Sequence, residues 1–439
     1  MFWTEFILVL TCILIGSKLG GIGLGAFSGI GLAILAFLFD TAPTSPPINV
    51  LLIVLSVITA VSVMQAAGGL NYMVIVAERA LRKRPSSVTF LAPLISYFFT
   101  FITGTGHVVY AILPVIAEVS REANVRPERP LTVSVIASQM AITACPISAA
   151  TVSLLAMLSP FNVTLVDILI ICIPSTLISC ILASLSMYKY GKELNEDPIY
   201  LEECRKGNVR SIAATDKMEK ASLKKAKLSI AIFLLGTFSI ILLAGVPSLR
   251  PTWNVNGENI QMNMSVAIQI IMLSAAALIM ILKVKSDEAM SSAVAKAGFV
   301  AIICIFGISW LGDTFFSANA ETINNSIGSL VTSFPSLFAI ALFVLSILLY
   351  SQAATVLALI PLGIALKIPA PFLIAMFPAV NGYFFLPTYG TMLAAISLDQ
   401  TKTTRIGKYV LNHSFMLPGI VATLSSVCIG FFLSSLLYR

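Results

Sequence analysis

The sequence predicts an all-α integral membrane protein of about ten transmembrane helices and two opposed re-entrant hairpins, arranged as an inverted repeat. Three observations predict it: long apolar runs almost free of charge, basic residues confined to one set of connections, and Gly, Ser and Pro motifs that recur in the second half. Of 439 residues, 58% are apolar and 11% charged, against roughly 25% charged in soluble domains, which excludes a water-soluble fold. Uncharged runs such as 50–77, 131–158, 228–249 and 410–437 each exceed the roughly 20 residues needed to cross a bilayer.

The net charge of +7 would suit nucleic acid, but its distribution follows the positive-inside rule, so no nucleic-acid partner is expected. Lys18, four residues in 79–84, three in 121–129, ten in 189–227, three in 283–296 and three in 402–408 make up 24 of the 27 basic residues. Only Arg250, Lys367 and Arg439 lie elsewhere. For all 24 to face the cytoplasm, both termini must lie outside. Runs 6–17, 21–39 and 50–77 then cross in turn. The run 88–118 has basic residues at both ends and must enter and leave on one side, as a re-entrant hairpin. Runs 131–158 and 165–188 complete a first half, 1–188, and 189–227 is the main cytoplasmic loop. The second half, 228–439, crosses at 228–246, 265–282 and 297–316, dips from outside at 335–368, and crosses again at 371–398 and 410–437. The first run lacks a basic leader and a small-residue cleavage site, so it is expected to remain as a span. The seven cysteines lack metal-ligand spacing, and no metal or cofactor is expected.

The repeat is carried by short motifs. Gly104-Thr-Gly-His107, Pro114 and Ala144-Cys-Pro146 correspond to Ser351-Gln-Ala-Ala354, Pro361 and Phe385-Leu-Pro387. The separations are 247 residues from Pro114 to Pro361, 241 from Pro146 to Pro387 and 244 from Gly68 to Gly312. The charge map independently gives the two copies opposite orientations, and inverted repeats of this kind place a substrate at their interface near the midplane.

Irregular backbone survives at membrane depth only where it lines a cavity, so four predicted breaks are the candidate substrate site. They supply Thr103, Gly104, Thr105, Gly106 and His107; Thr143, Pro146 and Ser148; Ser351, Gln352 and Thr355; and Pro387, Thr388, Gly390 and Thr391. Half-helix N-termini expose N–H groups with partial positive charge, and Gly lets an anion approach the backbone. Neither hairpin tip holds Lys or Arg. A carboxylate there would be held by dipoles and hydroxyls, and two facing tips suit a solute with a carboxylate at each end. The competing reading is that these small residues serve only helix packing. His107 could handle protons, or merely cap and pack. Asp313, Lys367 and Asp399 are candidate ion or gating residues, against the plainer readings of solvated acids and a snorkelling anchor.

These residues match a known family. Lys18-Leu-Gly-Gly-Ile-Gly23, Met64-Gln-Ala-Ala-Gly-Gly-Leu70, Leu113-Pro-Val-Ile-Ala-Glu118, Ala141-Ile-Thr-Ala-Cys-Pro-Ile-Ser-Ala-Ala150, Trp310-Leu-Gly-Asp-Thr314, Leu349-Tyr-Ser-Gln-Ala-Ala-Thr355 and Thr403-Thr-Arg-Ile-Gly-Lys408 resemble the anaerobic C4-dicarboxylate (Dcu) transporters over essentially the whole chain. The resemblance implies a carrier of the bacterial inner membrane, with periplasmic termini, that moves fumarate, malate, aspartate and succinate, typically fumarate or aspartate inward against succinate. It also implies an ion-transporter-superfamily fold in which a substrate-bearing domain moves past a scaffold. A homo-oligomer in membrane lipid and, for some relatives, a sensor-kinase partner are expectations by the same analogy. Cys145 departs from the small Ser expected there, which leaves open whether that position offers a hydroxyl. Two rivals remain: a cation/proton antiporter, which needs carboxylates at the breaks where none occur, and an intramembrane hydrolase built on His107 or His413, for which no nucleophile elbow is present.

Overall fold

A computed structural model describes residues 2–19, 22–206, 220–255, 258–333, 336–349, 351–387, 389–407 and 411–438. The first half contains α1 (Phe2–Leu19), α2 (Gly23–Leu38), α3 (Ile48–Ala66), α4 (Gly69–Lys83), α5 (Val88–Thr103), α6 (Val109–Glu122), α7 (Glu128–Ala144), α8 (Ala149–Leu158), α9 (Leu165–Met187) and α10 (Pro198–Arg205). The second contains α11 (Lys220–Gly245), α12 (Met264–Met280), α13 (Ser286–Met290), α14 (Ala293–Ser333), α15 (Ser336–Leu349), α16 (Gln352–Ala365), α17 (Ala370–Met376), α18 (Gly390–Leu398) and α19 (Met416–Leu437). A small antiparallel hairpin pairs Thr252–Val255 with Glu258–Gln261.

Helix dominates because backbone in hydrocarbon can satisfy itself only within the segment. Local chemistry sets the starts: Thr164 and Asp167 form a capping box at α9, Asp197 caps α10, and Asn263 caps α12. Among the described residues, seven helical stretches are long and apolar enough to cross a membrane, including Pro85–Thr103 and the broken stretch Glu128–Phe161. Helices α1, α2 and α12 carry shorter apolar runs. Leu235 and Phe238 on α11, with Leu424 and Phe432 on α19, stand exposed, and exposed apolar area of this extent marks a lipid-facing surface.

Several boundaries depart from the sequence expectation. Helix α14 runs well past 297–316, because nothing at Gly312 breaks it, whereas Gly68 takes a left-handed φ of 85° and divides α3 from α4. The two glycines therefore share a register but not a conformation. The expected loop 189–227 holds α10 and the start of α11. The expected span 371–398 is divided into α17, a tight 3-10 turn over Phe377–Phe384, and α18. Its successor starts only at Met416, after a loop folded about Asp399.

The helices pack in two groups. In one, α5 packs on α7 and α9, α19 on α9 and α17, and α15 on the 377–384 turn. In the other, α1 packs on α2, α14 on α2 and α3, and α12 on α3 and α11. The groups meet where α14 lies on α16, α3 on α8, and α4 on α6. The α2–α14 seam is unusually close: a Cβ on Gly25 would meet the Ile303 carbonyl oxygen at 2.2 Å, and one on Gly307 would meet the Gly25 oxygen at 2.2 Å. Small residues let membrane helices approach in this way.

At one end, buried charges lock three loops. Arg126 pairs with Glu128 (Nε to Oε2, 2.6 Å) and with Asp197. Burial works against the Arg126 charge, but its two carboxylate partners more than offset this, and its pKa is raised above the ordinary value. Arg129 donates to the Tyr190 carbonyl at 2.8 Å and pairs with Glu193 at 3.0 Å. Ser414 donates to Glu128, which ties the loop after α18 to the start of α7.

Candidate functional site

Helices α5 and α6 form one helical hairpin and α15 and α16 another, and both tips line a single cavity of about 390 Å³. The first hairpin turns because Gly104, at φ +73°, ends α5 in the left-handed region that only Gly adopts without strain. Thr105 then accepts a hydrogen bond from the His107 N–H at 3.4 Å and starts the 3-10 turn into α6. In the second hairpin Ser351 accepts from the Ala354 N–H at 3.2 Å and starts α16 directly. The two caps, Thr105 and Ser351, lie 246 residues apart, one fewer than the two prolines. By this structural register His107 corresponds to Ala353, rather than to Ala354.

A third helix N-terminus joins them. Ser148 caps α8 through the Thr151 N–H at 3.1 Å, and Ala149 and Ala150 line the cavity. Each N-terminus presents roughly half a positive charge. Three of them therefore face the cavity, and none of its described lining residues is Lys, Arg, Asp or Glu. The opposite wall is apolar, formed by Val54, Val57 and Val61 of α3 and Val300 and Ala301 of α14.

Of the residues expected from the sequence, Thr103, Gly104, Thr105, Gly106, His107, Ser351 and Gln352 are brought together on the cavity. The others stand back from it. Thr143 donates to the Met140 carbonyl at 2.8 Å, Thr355 donates to the Ser351 carbonyl at 2.8 Å, and Ser148 serves as a cap. Pro146, Pro387, Gly390 and Thr391 are not on the lining, and Thr388 lies outside the described residues. The position left open at Cys145 resolves structurally: its thiol is buried off the cavity and donates to the Phe101 carbonyl at 3.0 Å, tying the end of α5 to the α7–α8 break.

Asp313 is half-buried on α14 and Lys367 is exposed after α16, both off the cavity. Asp399 is fully buried, but it accepts from the Thr401 N–H at 2.9 Å, the Thr404 N–H at 2.7 Å and the Thr403 hydroxyl at 2.9 Å. Those bonds make it the organiser of its own loop. Sequence reasoning missed Gln139 and Tyr389, which line the cavity, and Asn381, which stands behind it. The readable signal for Gln139 was a long amide in a helix otherwise rich in Ala, Ser, Val and Ile.

The family model described as anaerobic C4-dicarboxylate membrane transporter matches residues 1–438. The chain belongs to that family. Anaerobic C4-dicarboxylate transporters similar to it include the C4-dicarboxylate transporter DcuA of Wolinella succinogenes, 43% identical over 435 residues and 99% of each chain. DcuA of Escherichia coli K12 is 42% identical over 437 residues, again 99% of each chain. DcuB of E. coli O6:H1 is 38% identical over 448 residues and 99% of each chain. Membership makes the chain a multi-pass membrane transporter and not an enzyme. The fold is similar to that of the Alcanivorax borkumensis YdaH transporter (TM-score 0.56, 13% identity, 99% of this chain and 96% of that one). It is also similar to that of Neisseria gonorrhoeae MtrF (TM-score 0.55, 12% identity, 91% and 84%).

Proposed function

We propose that this family member exchanges C4-dicarboxylates, typically fumarate or aspartate inward against succinate, across a bacterial inner membrane. The observation that carries the reading is the cavity itself: three helix N-termini and neutral amide and hydroxyl groups meet there without a fixed charge among the described lining residues. Dipoles of this kind attract carboxylates, while the absence of ion pairs leaves the guest free to depart on either side.

In this reading α5–α6 and α15–α16 are the opposed re-entrant hairpins of halves 1–188 and 228–439, joined by the loop 189–227. Ten spans result from α1, α2, α3, the α7–α8 pair, α9, α11, α12, α14, the α17–α18 pair and α19. The tip from Thr103 to His107 with the α8 N-terminus holds one carboxylate, and the backbone N–H groups of the α16 N-terminus at Ser351 and Gln352 hold the other. Thr143, Pro146, Ser148, Thr355, Pro387, Gly390 and Thr391 shape the breaks from behind. The helix group that carries the tips moves against the group built on α2, α3, α12 and α14, with both termini in the periplasm.

Counterflow in proteoliposomes tests the proposal. Labelled fumarate should accumulate in vesicles preloaded with succinate and stay out of empty ones. Equal, non-saturable entry into both would refute exchange.

A further inference from the structure

The residue that this exchange mechanism has not yet used is Gln139. It lies toward the C-terminal end of α7, fully buried, and lines the cavity, yet its Nε2 has no hydrogen-bond partner among the described residues. Leaving a buried amide donor unpaired costs free energy that an apolar side chain of the same shape would avoid. Its orientation is fixed from behind. Gln352 Nε2 donates to Gln139 Oε1 at 2.9 Å and to Asn381 Oδ1 at 3.2 Å, and Asn381 Nδ2 is engaged by the Pro378 carbonyl at 3.0 Å. With its carbonyl held by Gln352, Gln139 turns its NH2 toward the first hairpin tip, where a Cβ on Gly106 would stand 2.4 Å from Nε2. A glutamine kept only for packing does not explain an orphan donor at the cavity wall.

We propose that Gln139 Nε2 donates a hydrogen bond to one carboxylate of the bound C4-dicarboxylate, and that Gln352 and Asn381 are positioning residues that aim it. The assignment rests on the exchange reading above and adds its principal side-chain donor. Because Gln139 comes from the first half and Gln352 and Asn381 from the second, guest binding is coupled to the contact between the two repeats. A neutral amide pair also selects for an ionised carboxylate, since the one atom it leaves unpaired is a donor alone.

The test uses the full chain, purified, with fumarate binding followed by ligand-induced stabilisation and by counterflow. Gln139→Leu should bind fumarate about tenfold to a hundredfold more weakly, the loss expected for one hydrogen bond to a charged group, with the melting temperature of the ligand-free protein little changed. Gln139→Glu keeps the shape but presents an acceptor and a negative charge. It should bind poorly at neutral pH and recover part of the loss as the pH is lowered, because its protonated form again donates. A merely structural role would not produce that pH-dependent recovery. Gln352→Met should raise KM through a misaimed Gln139 while leaving the maximal exchange rate closer to wild type. Wild-type affinity in both Gln139→Leu and Gln139→Glu overturns the assignment while leaving exchange intact. Collapse of folding in both variants overturns it as well, by showing a structural residue. Failure of the wild-type chain to bind any C4-dicarboxylate instead defeats the exchange reading itself.

Discussion

At the cavity, three helix N-termini and a chain of amides meet without one Lys, Arg, Asp or Glu among the described lining residues, whereas the loop cluster around Arg126 buries paired charges outright. The two regions answer different demands. Loops that must stay closed gain from buried pairs, because removing one partner strands the other in a poor solvent for ions. A site that must release its guest gains from partial charges, which attract an anion without adding a second desolvated ion to separate.

The largest effect expected from this contrast is at the cluster. Arg126→Met strands Glu128 and Asp197 and should cost about 3–5 kcal/mol of stability, read as a lowered melting temperature in detergent. An unchanged melt would break the distinction between locked and releasing ends. At the cavity, Gly106→Val drives side-chain atoms into the Gln139 amide, an overpacking of about 1–3 kcal/mol. It should abolish most counterflow while the protein still inserts and melts cooperatively. Ser351→Ala removes the α16 cap, worth about 1 kcal/mol, and should lower exchange about fivefold by the same arithmetic. The smallest effect is expected at His107, whose side chain is exposed and stacks on Tyr110 at 6.1 Å. His107→Ala keeps the backbone of the tip, which holds the carboxylate in the proposed mode of binding, and should keep exchange within about twofold, with the same pH profile. A displaced profile would restore His107 as a proton carrier.

Both hairpin tips were legible in the sequence, because hydrophobic runs interrupted by Gly, Ser and Thr leave few ways to satisfy a backbone in lipid. The meeting of Ser351 with Gly104 to His107 followed from the opposed charge map. Gln139 was not legible, since its role depends on which way one face of an unbroken helix points. Asn381 was hidden for a related reason: Pro387 was the conspicuous breaker, yet the chain leaves the α-helix at Phe377, one residue before Pro378. The equivalence of Gly68 and Gly312 failed as geometry, because a glycine permits a break without imposing one.

The α2–α14 seam has a consequence for movement. Backbone pressed directly on backbone at Gly25 and Gly307 leaves no side-chain layer that could slip, so these helices act as one rail. On the cavity side the rail and α3 present Val54, Val57, Val61, Val300 and Ala301, whose side chains carry no donor or acceptor. In the proposed movement, a polar cargo holder travelling along such a face would exchange dispersion contacts alone, each worth a small fraction of a kcal/mol, so friction there would stay low and the timing of the stroke would be set at the polar tips.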